Sequence, residues 1–202
     1  MPRAAIGVRT HSGWGALVAV STSGGNVEVI DRRRIVITAA GTPGANQPYH
    51  FAENLGLPEA ETHLRDCFAT AERLASAALR ESVDELRRRD CDVIGSAVLQ
   101  ASGRPLPPLA QILASHALIH AAEGEFFREA IRKACEGLGL AVTAVPERKL
   151  DECVRTAFGA AAAGMCQQIA SGGRSLGPPW TRDQKTAALA ALVVLADTTL
   201  RE

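Results

Sequence analysis

Apolar and polar positions alternate through the first forty residues. Ala4–Val8 sets Ile6 and Val8 among small residues, Ala16–Ser21 repeats that texture, and Asn26–Ile37 places Val27, Val29, Ile35 and Ile37 on one face. A period of two is the signature of a strand. Gly24-Gly25 between two such runs signals a hairpin, so the chain is expected to open with a three-strand antiparallel meander. Ala39–Asn54 carries Gly41, Pro43, Gly44, Asn46 and Pro48 and reads as a loop. From Pro58 the period becomes helical and holds to about Arg89, with Pro58, Glu59 and Glu61 suited to a first turn. Cys91–Leu99 and Ala141–Pro146 are apolar without alternation, the texture of parallel strands covered on both faces. Leu109–Leu138 reads as one helix or two, with Gly137 and Gly139 able to end it. Leu150–Gln168 reads as an Ala-rich helix, Ser171–Pro179 as a Gly/Pro loop, and Trp180–Leu200 as a last helix that Thr181 can cap.

The order β-β-β-α-β-α-β-α-α predicts an α/β fold. Its sheet would be mixed and five-stranded, the meander plus two parallel strands, with helices on both faces. Residues 1–202 are expected to form a single domain.

Composition narrows the partners. Net charge is zero and the pI is about 7.0, so nothing electrostatic supports a nucleic-acid partner. Arg32-Arg33-Arg34 and Arg87-Arg88-Arg89 read as solvated faces or element ends. Aromatics are only 4%, which leaves Ala, Leu and Val to fill the core. Five cysteines, at 67, 91, 135, 153 and 166, form no C-x-x-C pair. Their odd number fits buried reduced thiols and a reducing compartment better than a disulfide framework. The start of the chain has no signal-peptide texture, and the longest apolar run, Ala187–Ala196, is too short to span a bilayer. A cytoplasmic protein without membrane contact is the expectation.

Four stretches carry candidate chemistry. On a helix, His116, His120, Glu123 and Phe127 fall within about 60° of one another at 100° per residue. Spacing of i, i+4, i+7 lets both imidazoles reach one divalent metal, with Glu123 as third ligand or as a partner behind the ligands. The competing reading is a histidine pair hydrogen-bonded to backbone or carboxylates. Gln47–Glu53 puts Tyr49 and His50 in a loop able to lie over the strand ends, where open α/β sheets bind ligands; there His50 and Glu123 are candidate acid–base groups. Alternatively, Tyr49 and Phe51 pin that loop to the core. Thr10, His11, Ser12, Gly13 and Trp14 form either a plain hairpin turn or a ligand loop whose N–H groups approach a phosphate. Asp183 sits where it complements the dipole of the last helix.

The element order is similar to the ribonuclease H-like fold, closest in texture to the Holliday-junction resolvase type. Ile6-Gly-Val-Arg-Thr-His-Ser-Gly-Trp-Gly-Ala-Leu-Val-Ala19 carries the likeness, as do the stretch from His116 onward and the closing Asp183-Gln-Lys-Thr-Ala-Ala-Leu-Ala-Ala191. The resemblance implies an acidic metal ligand at Asp183, an aspartate at the end of the first strand and a glutamate after the fourth. This chain has Arg9-Thr10-His11 and Gln100 at the last two places, so the implied acidic site is degenerate. Two-metal phosphodiester chemistry needs several carboxylates. The expectation is therefore a small-molecule or nucleotide site at the strand ends, formed by Thr10, His11, Ser12, Trp14, Tyr49, His50, His116, His120, Glu123 and Asp183. The alternatives are a non-catalytic interaction module, such as a homodimer, and a divergent nucleic-acid-processing enzyme.

Overall fold

The computed structural model describes residues 1–101 and 103–199. Five strands, β1 (Arg3–His11), β2 (Trp14–Ser23), β3 (Asn26–Val36), β4 (Asp92–Gln100) and β5 (Val142–Pro146), form one sheet in the order β3-β2-β1-β4-β5. β1 pairs antiparallel with β2 from Ala4↔Ser21 to His11↔Trp14, and β2 pairs antiparallel with β3. β1 runs parallel to β4, and β4 runs parallel to β5. β1 and β2 are longer than the alternating cores alone suggested, because each hairpin closes on two residues, and β3 ends at Val36, one residue before the expected Ile37. Gly24 and Gly25 both have positive φ (56° and 82°), as a tight primed turn requires.

Seven helices are described: α1 (Pro48–Ala52), α2 (Leu57–Arg88), α3 (Leu109–Leu113), α4 (His116–Gly137), α5 (Leu150–Phe158), α6 (Ala162–Gly172) and α7 (Arg182–Thr199). Two expectations need correction. The segment read as a loop over Ala39–Asn54 contains α1, a short helix opened by Pro48 at its first turn. The helix read over Leu150–Gln168 is two helices, because Gly159 takes φ 53° and ends α5 before a 3-10 turn leads into α6.

Alternation along β1 sends Ile6 and Val8 to one face of the sheet, where α2 and α4 contribute Leu79, Phe127 and Ile131. Ala5 faces the other way, with Val18 and Leu99 of the neighbouring strands, onto Ala187, Ala191 and Leu192 of α7 and onto α5 and α6. α7 can lie close because its inner face is alanine and because β1 offers Gly7. A Cβ at Gly7 would run into the Ala187 carbonyl and stand 2.9 Å from the Ala191 nitrogen. At the start of α7 the Gln184 side chain reaches back to Thr181, as one half of a capping box does. The Gln184 Oε1 accepts from the Thr181 N–H at 2.9 Å and from the Thr181 hydroxyl at 2.5 Å.

Both arginine runs find partners. Arg32 donates to the carbonyls of Leu176, Gly177, Pro178 and Pro179 and staples that loop to β3. Arg33 pairs with Asp31 at 2.6 Å and Glu81 at 3.0 Å, and Arg88 and Arg89 both pair with Glu85 at the end of α2. All five cysteines are free thiols; Cys67, Cys91 and Cys135 are buried, and burial pushes Cys135 up to about 11. Among the described residues no helix is long and apolar enough to cross a membrane.

The close approach at Gly7 gives a direct test. Gly7→Ala should destabilise the protein by about 1–3 kcal/mol or more, the usual cost of overpacking, whereas Gly137→Ala, where a Cβ meets nothing, should not. Equal melting curves for Gly7→Ala and the wild type would contradict the β1–α7 packing.

Candidate functional site

Candidate residues gather in two places. The first is at the carboxyl ends of β1 and β5. Arg9 and His11 continue the face of β1 that carries Ala5 and Gly7, so they point toward α7. The close packing of that helix brings Asp183, in its first turn, to the strand end. The Arg9 guanidinium bonds Glu147 through Nε at 3.2 Å and Nη2 at 2.8 Å, and its Nη1 bonds Asp183 Oδ1. His11 Nε2 lies 3.3 Å from the same Asp183 oxygen. Burial works against the Arg9 charge, but Glu147 and Asp183 outweigh it and raise its pKa above the ordinary arginine range. The row continues across the sheet: His11 stacks on Trp14 at 4.2 Å, and Arg34 lies over the Trp14 ring at 3.9 Å. Beside it opens a cleft of about 460 Å³ lined by Ser12, Trp14, Arg34, Thr38, Asn46 and the 39–42 segment. Gly13, at φ 79°, closes the hairpin there, and any Cβ would meet Asn46 Oδ1 at 2.5 Å.

The second place joins α1 to the start of α4. α4 carries His116, His120 and Glu123 on one flank, and α1 lays His50 across them. His50 is 5.4 Å from His116 and 4.7 Å from His120 between ring centroids, and the α4 pair is 4.5 Å apart; all three contacts are edge-to-face. One nitrogen from each ring lies within 4.8 Å of the other two. His116 and His120 are exposed, whereas Glu123, one turn deeper, is only 4% exposed. The Tyr49 N–H donates to Glu123 Oε2 at 3.0 Å, and the His50 N–H donates to the same carboxylate. Glu123 thus takes the place of a side-chain cap for α1, whose early N–H groups have no partner inside the helix. His50 Nδ1 stands 3.6 Å from Oε2, too far for a hydrogen bond. Nδ1 and Glu123 Oε1 are both buried without a partner. Burial raises the Glu123 pKa to about 7, against the pull of the two backbone N–H groups. Burial and Glu123 likewise raise Tyr49, whose ring packs edge-on against Phe126.

The expected site therefore divides. His50, His116, His120, Glu123 and Tyr49 come together at α1 and α4, while His11, Trp14 and Asp183 come together at the strand ends. Ser12 is exposed at the rim of the cleft. Thr10 pairs with Gly15 and, by alternation, faces away from Arg9. Arg9, Glu147 and Arg34 were not singled out from the sequence. Their signal was positional: Arg9 stands where the small-residue face of β1 meets a strand end, and Glu147 follows the last residue of β5 directly.

No family model matches the chain, and no curated protein matches it. Among solved structures, Thermus thermophilus RuvC in complex with Holliday junction substrate aligns over 98% of this chain and 96% of that one, with a TM-score of 0.53 and 14% identity. A second Thermus thermophilus RuvC structure gives the same coverage and TM-score at 13% identity. The fold is ribonuclease H-like. Within that fold, β1 is the central strand, Arg9 stands near its carboxyl end, and α3 and α4 follow β4.

The Glu123 carboxyl dictates a pH effect. Its folded pKa lies above that of an exposed glutamate, so the folded state holds the proton more tightly. That contribution to stability is complete below the ordinary glutamate range and is lost as pH rises through about 7. In chelator-treated protein, Glu123→Gln should gain several degrees of melting temperature over wild type at pH 8 compared with pH 5, at about 2–4 °C per kcal/mol. A gap between the two proteins that stays constant from pH 5 to pH 8 would contradict this.

Proposed function

We propose that this chain is a resolvase-type, ribonuclease H-like protein that does not cut phosphodiesters by two-metal chemistry, and that it binds an anionic ligand of the nucleotide class at its strand ends. The observation that carries the reading is Arg9. Its guanidinium stands at the end of β1 between Glu147 and Asp183, and the resemblance would put an aspartate at that strand end. A fixed positive charge there meets both carboxylates that a divalent ion would need, and repels the ion as well. Gln100, a neutral amide at the end of β4, supplies no charged oxygen. Two-metal catalysis needs several carboxylates around both ions, and here the nearest two are already spent on a cation.

The cleft beside this cluster supports the ligand class. Among the described residues, Arg34 has an aromatic partner but no carboxylate. Ser12 and Asn46 offer a hydroxyl and an amide on the same wall. An arginine without a counter-ion, set among neutral donors, suits phosphate or carboxylate oxygens. Neutral overall charge favours a small ligand over a long nucleic acid, whose affinity rests on many phosphate contacts.

Incubating the protein with branched and single-stranded DNA in Mg²⁺ or Mn²⁺ should give no cleavage above the protein-free rate. Equilibrium dialysis with a nucleoside triphosphate should give binding that falls at least about tenfold in Arg34→Ala, the loss of one charge-assisted contact of about 1.5–3 kcal/mol. Metal-dependent cleavage by the wild type that disappears in Asp183→Asn would overturn the reading. Nucleotide binding indifferent to Arg34→Ala would remove the ligand half of it.

A further inference from the structure

We infer that His50, His116 and His120 form a binding site for a single transition-metal ion of the zinc class, with Glu123 positioning His50 from behind. The site lies on α1 and α4 and does not depend on the strand-end reading.

The three rings are placed as ligands rather than as a packed stack. The rings meet edge-to-face rather than stacked, and one nitrogen of each comes close to a nitrogen of both others. His116 Nε2 and His120 Nε2 are 3.0 Å apart, and the three ligand nitrogens all lie within 4.8 Å of one another. A tetrahedral ion with metal–nitrogen bonds of about 2.0–2.1 Å needs its ligand nitrogens about 3.4 Å apart. The observed spacing brackets that value, and the exposed rings of His116 and His120 can adjust by small rotations.

Which His50 nitrogen serves is fixed by burial. Nδ1 is buried and faces Glu123, leaving Nε2 for the outward side where the α4 pair stands. A metal-bound imidazole characteristically donates its other N–H to a carboxylate or carbonyl, which holds the ring and raises its basicity. Glu123 is placed for that role. Its backbone bonds to Tyr49 and His50 fix the carboxylate against the same segment that carries the ligand. A shift of a few tenths of an ångström would turn the 3.6 Å Nδ1–Oε2 separation into a hydrogen bond.

The bland alternative is a hydrogen bond between His116 and His120. It satisfies those two rings but leaves His50 Nδ1 and Glu123 Oε1 buried and unpaired, which proteins seldom tolerate. An ion drawing His50 into the group engages all three rings and turns His50 Nδ1–H toward a partner in Glu123 Oε2. Three neutral imidazoles suit zinc, copper, nickel or cobalt rather than magnesium or calcium, which take oxygen ligands. Three protein ligands on an exposed surface leave a fourth position for water or a small anion, the pattern of open rather than purely structural zinc sites.

The test is stoichiometric metal binding by chelator-stripped protein, titrated with Zn²⁺ by calorimetry and with Co²⁺ by visible absorption. Wild type should bind one ion with a tetrahedral cobalt spectrum. His50→Ala, His116→Ala and His120→Ala should each lose at least about a hundredfold in affinity. Glu123→Gln, which keeps the shape and removes the charge, should lose about 10–100-fold. His63→Ala should bind as wild type does, and circular dichroism should show every variant folded. Wild-type affinity retained in His116→Ala and His120→Ala, both surface changes, would overturn the inference. So would loss of binding in His63→Ala, or a cobalt spectrum characteristic of six oxygen ligands.

Discussion

Glu123 is carried into the interior on α4, where among the described residues no arginine or lysine pairs with it. What meets it is the opening of α1, whose Tyr49 and His50 N–H groups converge on its carboxylate. A buried carboxylate is costly unless it is hydrogen-bonded, and the first N–H groups of a helix need acceptors. Each group removes the other's difficulty, so the short α1 helix is tied to α4. His50 is thereby fixed beside the two histidines one turn and two turns earlier on α4. Ala52, buried in the core, and the Tyr49 and Phe51 rings, packed on Phe126 and His63, complete the docking of α1.

The opposite face of the sheet follows a different constraint. Gly7 and the alanines of α7 let helix and strand approach to backbone distance, and that approach delivers Asp183 to the end of β1. The Asp183 carboxylate at that junction calls for a cation. Here the cation is supplied by the chain itself, as Arg9, and Glu147 completes the pairing from the end of β5. The strand order is ribonuclease H-like, and a guanidinium stands between the two carboxylates at the end of its central strand. These ion pairs are only partly buried and contribute modestly to stability; their consequence is for what the site can bind.

Much of this was legible in the sequence. The alternation of the meander and the long period of α2 report burial directly, and burial decides the layer each element enters; β4 is buried from Gly95 to Leu99 as its texture implied, whereas β5, at the sheet edge, buries only Val145. The α4 face was legible too, because His116, His120 and Glu123 share one helix and their geometry is local. What the sequence hid is nonlocal or too short to show a period. α1 is five residues long and lies among turn formers, so its helical turn left no pattern. Gly159 ended α5 through one positive φ in an otherwise Ala-rich run. The partition of the candidate residues into two clusters depended on which face of β1 each side chain took and on where α1 docked. Arg9 stood out only as a departure from the implied aspartate, because its pairing depends on Glu147 and Asp183, 138 and 174 residues away.

The most direct measurement is the position of bound metal in crystals of the stripped protein soaked separately with Zn²⁺ and Mn²⁺, located by anomalous scattering. The account predicts one zinc peak among the nitrogens of His50, His116 and His120, with Glu123 hydrogen-bonded behind His50, and no manganese at Asp183 and Glu147. A pair of manganese peaks at the strand ends with Arg9 displaced, or zinc bound away from the three histidines, would contradict it.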